Sequence, residues 1–276
     1  HVRKVTKSDY LCLAGGVALN CVANGKILRK NIFKDIWIQP AAGDAGGSVG
    51  AALFTWHQYL DKPRKAELFD SMQGSYLGPE FSSDQIKSFL NLNKIQATYL
   101  TDDKLTKKVA SLIAGEKVIG WFQGRMEFGP RALGNRSIVG DARSPKMQSV
   151  VNLKIKHRES FRPFAPSVLA EKTSKYFEIN QPSPYMLLVA NVVKNHRKIE
   201  NQRDKNLFGI DKLNVPRSTI PAVTHVDYSA RLHSVDKKSN PLYWKLISDF
   251  EKLTGCPVII NTSFNVRGEP IVCPPQ

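Results

Sequence analysis

The period of apolar positions changes repeatedly over the first sixty residues. The run "YLCLAGG" (10–16) is short, apolar and stopped by a glycine pair, which reads as a strand and a turn. In "VALNCVANGKILRK" (17–30) apolar residues recur at helical spacing, and "DIWIQP" (35–40) is a second short strand ended by proline. The stretch "GDAGGSVGAALFTWHQYL" (43–60) is a glycine-rich turn leading into a helix. This βαβα order places a glycine turn before a helix twice, at Gly15–Gly16 and at Gly43–Gly47. Backbone N–H groups gathered there favour anions.

Residues 61–80 carry Pro63, Gly74, Gly78 and Pro79 with little periodicity and read as a connection. The expected division is 1–62 as one unit, 63–74 as a linker and 75–276 as a second unit. The second unit opens with helices over 82–93 and 103–114, followed by "KVIGWFQG" (117–124) as a buried strand and "RSIVGDAR" (136–143) as another. "SPKMQSVVNLKIK" (144–156) predicts a helix with Ser144 as N-cap and Pro145 at its first position. "FAPSVL" (164–169), "YMLLVANV" (185–192) and "AVTHVD" (222–227) read as strands. Residues 194–217, with seven Lys/Arg against three acids, read as an exposed loop. "PLYWKLISDFEKLTG" (241–255) is an amphipathic helix with a glycine stop, and "PVIINTSFN" (257–265) a closing strand. The fold class is mixed α/β, with no internal repeat.

Composition narrows the partners. The 276 residues suffice for one large or two ordinary domains, and 40 Lys/Arg against 24 Asp/Glu give a net charge of +16. That balance points to anionic partners: phosphorylated small molecules, nucleic acid or an acidic surface. The four cysteines, Cys12, Cys21, Cys256 and Cys273, have no CxxC spacing and read as reduced thiols of a cytoplasmic protein. No apolar run approaches the roughly 18 residues of a membrane span, so no membrane partner is expected. The chain starts on a charged stretch and stops directly after a strand-like run, so a fragment is expected.

Candidate chemistry lies where cations adjoin apolar strands. "GRMEFGPRALGNRSIVGDARSP" (124–145) holds Arg125, Arg131, Arg136 and Arg143 against only Glu127 and Asp141. Lys154, Lys156, Arg158 and Arg162 lie in "LKIKHRESFRPFAP", Arg231 in "HVDYSARLHSV" and Arg267 in "NTSFNVRGEP". Guanidinium forks suit phosphate and carboxylate oxygens, and lysine serves phosphate as a point charge. Converging at strand ends, such groups would form an electropositive pocket; taken singly, each is an ordinary surface cation. Asn135, Ser137, Asn261, Thr262, Ser263 and Asn265 would be neutral donors around the anion, or ordinary turn and strand-end hydrogen bonders. Asp44, in a turn of small residues before a helix, reads first as a helix cap and second as a metal ligand. His225 beside Asp227 is a possible acid/base pair, with a buried strand histidine as the other reading. No Cys/His pair lies in one motif and no HxxxH or HExxH occurs, so neither a cysteine nucleophile nor a complete metal site is expected.

The motifs "LAGGVALNCVANGKI", "PAAGDAGGSVGAAL", "GWFQGRMEFGPRALGNRSI", "FRPFAPSVL", "THVDYSARLHSV" and "NTSFNVRGEPIV" together resemble the O-carbamoyltransferases of the nodulation-protein and antibiotic-tailoring type, from about residue 11 to 273. The resemblance implies that residues 1–62 end an actin-like ATPase (ASKHA) domain and that 75–276 form a YrdC-like α/β domain. It implies that the second makes carbamoyl-adenylate from ATP, with Mg²⁺, and carbamoyl phosphate, releasing pyrophosphate and phosphate. The intermediate would then carbamoylate a small-molecule hydroxyl acceptor in the first. Arg131, Arg136, Lys156, Arg162, Arg231 and Arg267 become implied phosphate or carbamoyl ligands. Gly15, Gly16 and Asn20 become part of a nucleotide wall, and Asp44 a ligand of Fe²⁺ or another divalent ion whose histidine ligands lie outside these residues. Two other readings stay open: a threonylcarbamoyl-adenylate-forming factor in tRNA modification, and a noncatalytic anion-binding module. Against nucleic acid stands the absence of aromatic-rich basic stripes.

Overall fold

The computed structural model describes residues 1–66, 70–199 and 201–276, apart from the side chains of Arg203, Lys205 and Ile210. Its centre is a six-stranded mixed sheet. The strands are β3 (Ile119–Phe122), β4 (Arg136–Asp141), β5 (Ala165–Leu169), β6 (Leu188–Asn191), β7 (Ser229–Val235) and β8 (Val258–Ser263), in the spatial order β3-β4-β8-β5-β7-β6. Only β5 and β7 run parallel; the other neighbours are antiparallel. The last strand of the chain therefore sits inside the sheet, with Asn261 opposite Val139 on one side and Ala165 on the other. The apolar run Val258–Ile260 is what such a position demands, since a central strand covered on both faces cannot alternate with polar residues. The mixed α/β class expected from the sequence is the class observed.

Two smaller strands, β1 (Tyr10–Leu13) and β2 (Asp35–Ile38), form a separate parallel pair. Helix α1 (Cys21–Arg29) follows β1 and α2 (Ala45–Phe54) follows β2. Four further helices of eight or more residues are α3 (Ser83–Leu92), α4 (Asp102–Ala114), α5 (Met147–Lys154) and α6 (Pro241–Thr254). Helix α3 begins with a reciprocal capping box between Ser82 and Gln85. Helix α6 is bounded by the Asn240 cap and Pro241 at one end and by left-handed Gly255, φ 73°, at the other. It buries Tyr243, Leu246, Ile247 and Phe250, each contributing about 1.5–3 kcal/mol as apolar surface leaves water. Thr106 on α4 donates to Asp249 on α6 at 2.8 Å, and Lys245 and Lys252 flank the same buried carboxylate.

Helix α1 lies along the free edge of β6. Arg29 donates to the Val189 carbonyl at 2.7 Å, and the buried Asn24 amide donates to Leu187 at 3.1 Å and Ala18 at 2.8 Å. The approach requires Gly25, because a Cβ there would stand 2.3 Å from the Val189 oxygen. The helix thus satisfies a sheet edge that would otherwise be open to pairing. Ala18, Ile36, Ile38 and Ala42 join the core cluster of the six-stranded sheet, so the apolar interior is continuous across the region expected to be a linker. Of that linker, 67–69 lie outside the described residues, whereas Met72 and Gly74 are buried.

Four local expectations are corrected. The strand within 117–124 is an edge strand in which only Trp121 is buried. Helix α5 starts at Met147 and not at Pro145; the Ser144 hydroxyl caps nothing and is buried without a partner. "AVTHVD" is not a strand: Pro221–Val223 form a 3₁₀ turn, and the chain reverses with His225 N–H donating to Ser229 O at 2.8 Å. Pro221 lacks the N–H a strand would need, and the true strand begins at Ser229. The stretch expected as an exposed loop, 194–217, holds short helical turns at Gln202–Lys205 and Gly209–Leu213, and Arg217 is buried; residue 200 lies outside the described residues.

Candidate functional site

The arginine-rich stretch 124–145 is folded around an acid. Glu127 is buried, and its Oε1 accepts from the backbone N–H of Leu133 at 2.6 Å and Asn135 at 2.9 Å. A loop without its own ladder thereby has its donors satisfied. Gly134, at φ 102°, lets the loop pass the Tyr243 ring, where a Cβ would sit 2.3 Å from a ring carbon. The four arginines then take four separate environments. Arg125 faces Glu80 at 3.6 Å, and Arg143 pairs with Asp141 at 2.6 Å. Arg136 is fully buried beneath the loop, and Arg131 alone faces a cavity.

That cavity has a volume of about 370 Å³ and is lined by Arg131, Arg158, Arg231, His225, Thr262 and Ser263, with Cys21 and Val22 closing one side. No carboxylate lines it. Arg131 donates to the Leu19 carbonyl at 3.3 Å, while its Nε is buried without a partner. Burial, then the like charges of Arg131 and Arg158, push the Arg231 guanidinium down to about 10, so it remains a cation at neutral pH. Burial lowers Arg131 and Arg158 as well. Three cations gathered away from any acid carry a desolvation cost that an anion would offset.

A second hollow of about 260 Å³ adjoins the first, sharing Arg158 and Ser263 and adding Lys156, Arg162, Asn265 and Arg267. Lys156 Nζ is buried and donates to the Asn265 carbonyl at 2.9 Å and to Asn265 Oδ1 at 2.8 Å; the Ser263 carbonyl also accepts from it. Burial and the neighbouring Arg158 lower Lys156 to about 8. Arg162 pairs with Glu159 at 3.1 Å on the exposed rim. Arg267 is exposed and reaches the His157 carbonyl at 3.4 Å.

The sequence therefore points to Arg131, Arg231, Thr262 and Ser263 in the inner cavity and to Lys156, Arg162 and Arg267 in the outer one. Three expected ligands lie elsewhere. Arg136 Nη1 donates to the carbonyls of Gln123 (2.7 Å), Asn135 (2.9 Å) and Gly124 (3.2 Å), and its guanidinium stacks on Phe122. Asn135 donates to Arg125 O at 2.7 Å and accepts from Asn240, and the Ser137 hydroxyl accepts from Gly134 N–H at 3.0 Å. All three are buried beneath or within the loop and none lines either hollow, although Arg136 Nη2 is left without a partner.

Comparison with known proteins gives this geometry a family. The model described as "Carbamoyltransferase C-terminus" matches residues 110–276, and that described as "Carbamoyltransferase N-terminus" matches residues 1–53. The chain belongs to the carbamoyltransferase family. An uncharacterized protein of Synechocystis sp. is 62% identical over 270 residues, which is 97% of this chain and 44% of that protein. Nodulation protein NolO of Bradyrhizobium diazoefficiens is 42% identical over 276 residues, 99% of this chain and 46% of the relative. Nodulation protein U of Sinorhizobium fredii is 33% identical over 258 residues, 94% and 40% respectively. The chain thus spans less than half the length of these relatives.

In this member of the carbamoyltransferase family a further hollow gathers Gly15, Gly16, Gly43 and Asp44 with Gly46 and Gly47. The two glycine turns thus border one hollow, an arrangement that the sequence, which showed only that the turn occurs twice, did not specify. Asn20 is not among its lining residues; it caps α1, accepting from Ala23 N–H at 3.1 Å. Asp44 is exposed at the start of α2 and makes no side-chain cap bond, so the helix-cap reading is not realised. Among the described residues no three His, Cys, Asp or Glu side chains stand close enough to hold a metal ion. Asp44 alone does not complete a metal site, and no chemical step is derived through one. No helix of the described residues is long and apolar enough to cross a membrane.

Three residues of the cavity wall have no assigned ligand role in the sequence, although two of them stand among its candidates. Arg158 was one cation among several in its motif, yet it links both hollows. Cys21 has no motif of its own and reaches the cavity only because α1 lies on β6. His225 carried a signal, the nearby Asp227, but the two are joined through Ser229, which sequence spacing does not reveal.

Proposed function

We propose that this chain carries the carbamoyl-adenylate-forming site of an O-carbamoyltransferase. Carbamoyl phosphate and ATP, the latter as its Mg²⁺ complex, bind across the inner cavity and the outer hollow. Phosphate and pyrophosphate leave, and the carbamoyl-adenylate passes to a transfer site bordered by Gly15, Gly16 and Asp44, where an acceptor hydroxyl takes the carbamoyl group. In this reading residues 1–62 belong to the ASKHA-like transfer domain and 75–276 to the YrdC-like domain. The observation that carries it is the acid-free inner cavity, where Arg131, Arg158 and Arg231 face the strand-end hydroxyls of Thr262 and Ser263. The adjoining hollow offers a second anion its own cations, which suits a reaction of two phosphorylated substrates. Fixed cations there stabilise the charge that develops as phosphate leaves.

Pyrophosphate release from ATP, Mg²⁺ and carbamoyl phosphate tests the proposal. Release that requires carbamoyl phosphate and falls at least tenfold in Arg131→Ala and Arg231→Ala supports it. Release only with threonine and bicarbonate in place of carbamoyl phosphate would assign the chain to tRNA modification instead.

A further inference from the structure

The reaction proposed above does not balance without water. Carbamoyl phosphate and ATP yield carbamoyl-adenylate, pyrophosphate and phosphate only if one water is consumed. The site therefore needs a group that takes a proton from that water, and arginines cannot do so at neutral pH. His225 stands in the wall of the arginine cavity and also borders a neighbouring cavity of about 220 Å³ lined by Pro163, Val215, Arg217 and Val226.

Its hydrogen bonds fix its tautomer. Asp227 Oδ1 is an acceptor, so the Ser229 hydroxyl donates to it, at 2.6 Å. With its hydrogen spent there, Ser229 Oγ can only accept from His225 Nδ1, at 3.0 Å. The neutral imidazole thus carries its proton on Nδ1 and a lone pair on Nε2, which has no partner among the described residues. Asp227 is itself held by the Ser229 N–H at 3.0 Å, so the three-residue chain is anchored by backbone. The charged groups facing the imidazole are Asp227 and Arg231 on its own segment, Arg131 and Arg158 across the inner cavity and Arg217 across the second. Burial outweighs Asp227 and keeps the ring's pKa below its ordinary value, hence neutral at pH 7.

We propose that His225 is the general base for the water this reaction consumes, with Ser229 and Asp227 as its positioning residues. The water oxygen attacks the carbamoyl carbon and its proton passes to Nε2. The bond between that carbon and the bridging oxygen breaks, phosphate leaves with the electron pair beside Arg131, Arg158 and Arg231 and takes the remaining proton of the carbamic acid so formed, and carbamate remains. A carbamate oxygen then attacks the α-phosphorus of ATP and pyrophosphate departs. The proposal rests on the adenylate reading above.

Two products are counted separately in the test: phosphate from carbamoyl phosphate and pyrophosphate from ATP. His225→Asn keeps an amide donor for Ser229 while removing Nε2. It is expected to lose about 100-fold or more in phosphate release, the usual contribution of a general base. Ammonium carbamate supplied in place of carbamoyl phosphate should restore its pyrophosphate release to within about twofold of wild type, since the deleted group acts before that step. The acidic limb of the phosphate-release profile should vanish in the variant. ¹⁵N NMR of the histidine ring should show the Nδ1–H tautomer at pH 7, lost in Ser229→Ala. Loss of neither product, equal loss of both without carbamate rescue, or an Nε2–H tautomer would overturn the role of His225. A wild-type chain that releases neither product from carbamoyl phosphate would overturn the adenylate reading, and this inference with it.

Discussion

At the scale of single residues, like side chains serve unlike ends. Arg136 and Arg231 are both arginines beside apolar strands, but one saturates backbone carbonyls and the other faces an acid-free cavity. Arg136→Ala should destabilise the fold by about 3 kcal/mol or more, because buried carbonyls lose their donor; the urea midpoint measures it. Arg231→Gln should leave that midpoint unchanged or raise it, since a desolvated cation is removed, while weakening phosphate binding by calorimetry at least tenfold. Lys156 gives a pH signature. Its ammonium is present below about 8 and lost above, so phosphate affinity should fall as pH rises through that value. Lys156 spends its donors on Ser263 and Asn265 and acts on the anion through its charge, so Lys156→Met should bind about tenfold more weakly at pH 7 and lack the step. Sequence separates none of these fates. The cations were legible as candidates because they adjoin apolar runs, but the distinction between Arg131 and Arg136 is made by Glu127, whose carboxylate decides which way the loop turns.

At the scale of elements, legibility followed how strongly a segment's own residues dictate its state. The runs of β4, β5 and β8 and the capped helices α3 and α6 are where the pattern places them, to within a few residues. The strand β7 is hidden because Ser229, Arg231, His233 and Ser234 interrupt its apolar residues; His233 and Ser234 are buried against partners from distant segments, and Ser229 against His225 and Asp227. His233, for example, shares a 2.8 Å hydrogen bond with Ser167, and burial lowers its pKa to about 3. The contact of α1 with β6 was equally invisible, since it depends on a missing Cβ rather than on a periodic stripe. Gly25→Ala should cost about 1–3 kcal/mol through overpacking, despite the better helix propensity of alanine. A matched substitution at Gly47, where a Cβ meets nothing within 4 Å, should not. Thermal denaturation of the two variants in parallel gives the comparison.

At the scale of the whole molecule, a glycine- and proline-marked stretch suggested two units, whereas the described core runs from Ala18 and Ile38 to the central sheet without a break. Composition cannot report this, because a continuous core and two separate ones use the same residues. A single calorimetric transition, with calorimetric and van't Hoff enthalpies equal, is the expected outcome for the chain. Two resolved transitions would mean that the α1 contact does not couple the parts. That contact also has a consequence for inheritance. Cys21 and Val22 wall a cavity whose cations come from beyond residue 130, and one of those, Arg131, donates to the Leu19 carbonyl. A chimaera joined near residue 61, taking its first part from one relative and the remainder from another, would receive the two sides of one pocket from different parents. Residues 19–25 and 187–189 can drift only as a matched set, so family members should exchange these segments together or not at all.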